Sequence, residues 1–173
     1  MSDDAVPERV KRAFADHGSF ERTDDGRYEA VKTPIDAAVT VTDGADGRIG
    51  FEVEVRVPML DATTAADEEV AAVVEEGWYE TFERRTDDMG GITAGDHDLD
   101  PVVETEAPGA DGDRRAVVRV GYEDLDERRG VEDAAAVVNY VEGTFVQGLV
   151  PGYDYAEPAA SLLARARGTG QSR

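Results

Sequence analysis

The sequence predicts an α+β fold: an antiparallel sheet of five to six strands built from hairpins, with three main helices packed mostly on one face. Three observations carry that expectation. Period-two apolar runs come in pairs around Gly- and Asp-rich turns, so strands return beside their neighbours. Helical stripes lie between those pairs instead of alternating with single strands, which disfavours a parallel β-α-β chain. A chain of 173 residues, 40% of them apolar, suits one domain. The domain is read as residues 1–167, with 168–173 as a flexible C-terminal tail.

A helix opens the chain. Asp3 or Asp4 suits its cap and Pro7 its first turn. Val6, Val10, Ala13 and Phe14 share one face, and Gly18 closes the helix. A hairpin follows, with Phe20 to Asp24 and Arg27 to Val31 flanking an Asp25-Gly26 two-residue turn.

Ile35, Ala37, Val39 and Val41 then alternate with mostly polar partners. Ile49, Phe51, Val53, Val55 and Val57 do the same against Arg48, Glu52, Glu54 and Arg56. Both apolar sets must face one side of the sheet, which pairs Val41 with Phe51. That register leaves Ala45-Asp46-Gly47 as a three-residue loop with Gly47 in the left-handed bulge position.

Pro58 ends the strand, and Thr63 or Thr64 is expected to cap a second helix with Asp67, Glu68 and Glu69 in its first turn. Its stripe runs Val70, Val73, Val74, Gly77, Trp78, Thr81, Phe82, with Gly77 expected to allow close approach to the sheet. Residues 86–100 read as a loop. Val102 to Ala107 and Arg115 to Tyr122 form another hairpin, the second strand showing Ala116, Val118, Val120 and Tyr122 on one face. A third long helix is expected from Val131 to Leu149, stopped by Pro151-Gly152, and Glu157-Pro158 opens a short last helix.

Charge sets the solvent. There are 39 Asp+Glu against 18 Lys+Arg, a formal net charge of -21. Only Lys11 and Lys32 are lysines, and Ile occurs only at Ile35, Ile49 and Ile92. An acidic, lysine-poor surface over a Val/Ala core suits molar salt, where a Debye length of roughly 3 Å screens the repulsion. The same charge argues against nucleic-acid backbone as a partner. No apolar run approaches a membrane span, and the first residues lack a signal-peptide layout, so a cytoplasmic protein is expected.

Most mechanistic motifs are absent. There is no Cys for a thiol nucleophile or Cys-based zinc finger, and no GxxxxGK[ST], GxSxG, HExxH or GxGxxG after a strand. No cofactor is implied and no residue is assigned a catalytic role. The metal candidate is Asp96-His97-Asp98-Leu99-Asp100, whose alternate carboxylates resemble the start of a calcium loop. It departs from an EF-hand at Pro101, where Gly belongs, and at Ala107, where the bidentate carboxylate belongs. In so acidic a chain, spaced Asp residues arise easily as solvated loop. Tyr153, Tyr155 and Tyr79 are the protein-binding candidates, weighed against packing over the core.

Gly26 to Pro34, Gly50 to Val55, Gly77 to Glu80 and Gly148 to Tyr155 resemble an uncharacterised haloarchaeal protein family of unknown function. The element order is also similar to the type III secretion chaperone-like (YbjN-like) fold, with one extra strand at the start. That likeness implies binding of other proteins, often as a dimer, and supplies no functional residue. The function expected is therefore a non-catalytic protein-binding or adaptor domain, with a homodimer as one assembly. Its contact surface would be the sheet face, the third helix or an edge strand, Ile49 to Val57 among the candidates. The alternative is a metal-dependent or small-ligand enzyme using Asp96, His97, Asp98 and Asp100.

Overall fold

The computed structural model describes residues 6–171; the Asp3 and Asp4 cap candidates lie outside them. Helix α1 (Glu8–His17) is closed by Gly18 in the left-handed conformation, φ 76°. Strands β1 (Phe20–Arg22), β2 (Tyr28–Ala30), β3 (Asp36–Asp43) and β4 (Ile49–Pro58) follow, then the four-residue α2 (Leu60–Thr63) and the longer α3 (Ala72–Asp87). Strands β5 (Val102–Glu106) and β6 (Arg115–Asp124) precede α4 (Glu127–Gln147) and α5 (Ala159–Gln171).

All six strands form one antiparallel sheet in the order β1-β2-β3-β4-β6-β5. Val41 pairs with Phe51, as parity requires, and Gly44 and Arg48 close the Ala45-Asp46-Gly47 loop. Two residues of that loop are left-handed, Asp46 as well as Gly47. In the first hairpin, Thr23 N–H donates to the Arg27 carbonyl, so the loop is the three residues Asp24-Asp25-Gly26 instead of Asp25-Gly26 alone. The Thr23 hydroxyl also meets Asp25, stabilising the longer turn.

One correction matters for partners. Strand β4 is interior, hydrogen-bonded to β3 on one side and β6 on the other. It has no free edge, so Ile49 to Val57 cannot recruit a partner strand. The sheet edges are β1 and β5.

The core lies between the inner face of the sheet and the helices. Phe51, Val53, Val55 and Val57 meet Ala116, Val118, Val120 and Tyr122 across β4 and β6, and all are buried. Helix α4 lies over β4 and β6, with α1, α3 and α5 packed on it. Its start comes earlier than Val131 because the Asp126 side chain accepts from the Arg128 and Arg129 N–H groups and caps it. Gly130 is where α4 presses on the sheet: a Cβ there would lie 2.2 Å from the Phe51 ring. The outer face is wet and ion-paired, with Glu54 contacting Arg27, Arg56 and Arg119, and Glu106 contacting Arg56.

Helix α3 begins at Ala72, later than expected. Thr64 cannot cap it, because its backbone pairs with Tyr155 and its hydroxyl donates to the Asp61 carbonyl. Asp67, Glu68 and Glu69 thus precede the helix. Of the predicted stripe only Trp78 and Phe82 are buried, joined by Thr86, while Val73 is 73% exposed. Gly77 faces open space and brings nothing close. Helix α5 runs on to Gln171, through Gly168, where a loose tail is expected.

Candidate functional site

The ionisable core of the molecule is built from three segments. Tyr122 and Asp124 continue the inward parity of β6, so Asp124 is the last inward residue of the strand and faces the core. Asp133 sits two turns into α4 on its buried side, beside Ala134 and Val137. The 93–97 loop passes over both and delivers His97. The three side chains are 8%, 1% and 1% exposed for His97, Asp124 and Asp133.

The His97 Nε2 lies 3.0 Å from Asp133 Oδ2 and 3.4 Å from Asp124 Oδ2. Each carboxylate is held from behind. Asp133 accepts the Ala94 N–H on Oδ1 at 2.7 Å and the Gly95 N–H on Oδ2 at 3.0 Å. Asp124 accepts Arg129 Nε on Oδ2 at 2.8 Å and Arg129 NH2 on Oδ1 at 2.7 Å, with the Asp126 N–H on Oδ1 at 2.8 Å. Such charge-assisted, partly bidentate bonds are among the stronger polar contacts. The Arg129 hydrogen bonds hold the Asp124 carboxyl below its ordinary range, against the opposing effect of burial. The Tyr122 ring, centred 4.6 Å from the imidazole, flanks it; burial and the two carboxylates push its phenol pKa up, and its hydroxyl donates to the Gly130 carbonyl at 2.6 Å. Both groups facing Nε2 are acceptors, so the place between them calls for a proton on the nitrogen or a cation.

Beside this cluster a cleft of about 330 Å³ opens between β1, β2 and α4. Phe20, Ile92, Ala136 and Val138 give it an apolar lining; His17, Lys32 and Asn139 are among its polar groups. Asp133 belongs to both features. His17 Nε2 is 3.3 Å from Glu132, and its Nδ1 is buried without a hydrogen-bond partner among the described residues.

The sequence candidates fall apart by location. Of Asp96, His97, Asp98 and Asp100, the three carboxylates are exposed and only His97 turns inward. Among the described residues, the His and Asp side chains close enough to share one ion are His97, Asp124 and Asp133. Sequence reading missed both of the latter. The signal was there: Asp124 keeps the parity of Ala116 to Tyr122, and Asp133 falls four residues before Val137 on the buried side of α4. Tyr153 and Tyr155 meet edge to face at 6.5 Å, and the Tyr155 hydroxyl donates to the Val150 carbonyl, tying the turn before α5 together. Tyr79 is half-buried on α3, lining a depression with Met59, Val70 and Arg114.

The chain belongs to a family of unknown function, DUF5813, whose model matches residues 15–165. No curated protein and no solved structure matches it. Among the described residues no helix is long and apolar enough to cross a membrane.

Proposed function

We propose that this member of the family is a non-catalytic protein-binding domain, an adaptor of a halophilic cytoplasm, whose partner seats an apolar side chain in the cleft between β1 and α4. The observation that supports it is the cleft itself. Its volume of about 330 Å³ falls at the low end of ligand-sized pockets, with an apolar lining and a few polar groups. An edge strand and the third long helix, two of the surfaces the sequence nominates, meet there. The likeness in element order to the chaperone-like fold, whose members bind proteins, points the same way. A homodimer that buries the cleft is one form of this reading. The net charge of -21 weighs against nucleic acid.

The enzyme alternative has less support. Asp96, Asp98 and Asp100 are exposed and apart from the buried cluster, and no nucleophile is hydrogen-bonded to His97 among the described residues.

The test fills the cleft. Ala136→Trp should leave the far-UV circular dichroism unchanged and abolish either the dimer seen by light scattering in molar KCl or the partner captured from the native host at native salt. A monomeric wild type with no specific partner, or a partner retained by the Trp variant, would sink the reading. The halophilic component has its own check. Circular dichroism should show structure gained between roughly 0.1 and 2 M KCl as screening shortens the Debye length; a salt-independent spectrum and melting temperature would contradict it.

A further inference from the structure

We propose that His97, Asp124 and Asp133 bind one divalent transition-metal ion of the Zn²⁺ class. This stands apart from the cleft reading and does not depend on it.

The spacing fits an ion. Two ligands at the 2.0–2.2 Å typical of Zn–N and Zn–O bonds, at a tetrahedral angle, lie about 3.4 Å apart. His97 Nε2 is 3.0 and 3.4 Å from the two Oδ2 atoms, and all three ligand atoms lie within 4.8 Å of one another. The outer contacts are those that orient metal ligands: backbone N–H groups aim Asp133, and Arg129 with the Asp126 N–H aims Asp124. Each Oδ2 has one donor behind it and a lone pair left for the imidazole side.

A second observation comes from the backbone. Gly95 passes so close that a Cβ would sit 2.4 Å from His97 Nε2 and 3.0 Å from Asp133 Oδ2. The backbone is thereby cradled against the meeting point of the ligands, and no larger residue fits without moving them.

The donor set selects the ion. One imidazole with two carboxylates suits Zn²⁺, Co²⁺, Fe²⁺ or Mn²⁺ better than Ca²⁺, which prefers six to eight oxygens. Three protein ligands leave a further coordination position. A ring N–H on Nε2 donating to the carboxylates is the competing arrangement.

The chain has two histidines, which makes the test direct. Ring resonances of the full chain are followed by NMR in molar KCl during titration with Zn²⁺ alone, and assigned with His17→Gln. One equivalent should move the His97 resonances and leave those of His17 in place. Asp133→Asn should weaken binding about 100-fold or more, while Asp96→Asn/Asp98→Asn/Asp100→Asn together should bind as the wild type does. If the His97 ring ignores stoichiometric Zn²⁺, the cluster takes no metal; if the triple loop variant abolishes the response, the ion sits on the loop carboxylates; either result overturns the proposal. Should Asp133→Asn not fold, the wild-type ring response decides alone.

Discussion

Helices α3 and α4 each carry apolar residues on one side and glycine inside their bounds, and they differ in what they bury. Helix α4 lies across the sheet and buries nine residues, Gly130, Val131, Asp133, Ala134, Val137, Val138, Val141, Thr144 and Phe145. Helix α3 buries three residues, Trp78, Phe82 and Thr86, and leaves Val73 and Gly77 to solvent. A stripe shows which side of a helix is apolar. Which helix is covered on that side depends on the elements that pack over it, and α4 packs against α1, α3 and α5 at once.

Substitutions sharpen that contrast. The largest effect belongs to Phe145→Ala: the ring is fully buried, edge-on to Trp78, and its loss should cost about 3–5 kcal/mol in chemical denaturation. Val73→Ala on α3 should stay within about 0.5 kcal/mol. If the two cost the same, the division between the helices is wrong. The two glycines should differ in sign. Gly130→Ala drives a methyl into the Phe51 ring and should destabilise by about 1–3 kcal/mol, outweighing the gain in helix propensity. Gly77→Ala meets open space and should stabilise by up to about 1 kcal/mol. A stabilised Gly130→Ala would mean that α4 does not press on the sheet at that residue.

A small, pH-dependent effect lies on the outer face of the sheet. Burial pushes Glu54 up, but its contacts with Arg119 and Arg56 win and hold it below the ordinary glutamate range. A lowered folded-state pKa stabilises the fold in full above the unfolded value, and that contribution is lost as pH falls through the folded one. Glu54→Gln should therefore flatten the acid limb of the stability curve below about pH 4.5, with no change in slope near neutrality. Partly exposed pairs are worth at most about 1 kcal/mol, so the difference should shrink further in molar salt. An acid limb unchanged at low salt would remove Glu54 from the network.

The fold was largely legible and the candidate site was not. Period-two alternation and loop chemistry agree at Val41 and Phe51, which is why the β3–β4 register can be read from the residues alone. The start of α4 escapes notice because Asp126, Glu127, Arg128 and Arg129 are as polar as a loop; the cap bonds that make them helical are local geometry. Met89 looks like loop and is fully buried, because a lone apolar residue has no period. Asp124 and Asp133 were harder still. They are two of 39 acids, and what distinguishes them is burial beside an imidazole 27 residues upstream of the nearer one, a tertiary fact.

The strand order bears on how the molecule behaves in a crowd. Salt that screens a charge of -21 also removes the repulsion that keeps copies apart, and apolar surfaces then associate more readily. An open sheet in that solvent is a template for stacking onto its neighbours through unpaired backbone groups. Here the long apolar strands β3, β4 and β6 are all interior. One edge, β1, is three residues long, and the other, β5, carries Glu104 and Glu106 paired to Arg119 and Arg56. Pairing of one copy's sheet onto another's is thus limited by the strand order and by the two edges, independently of the net charge.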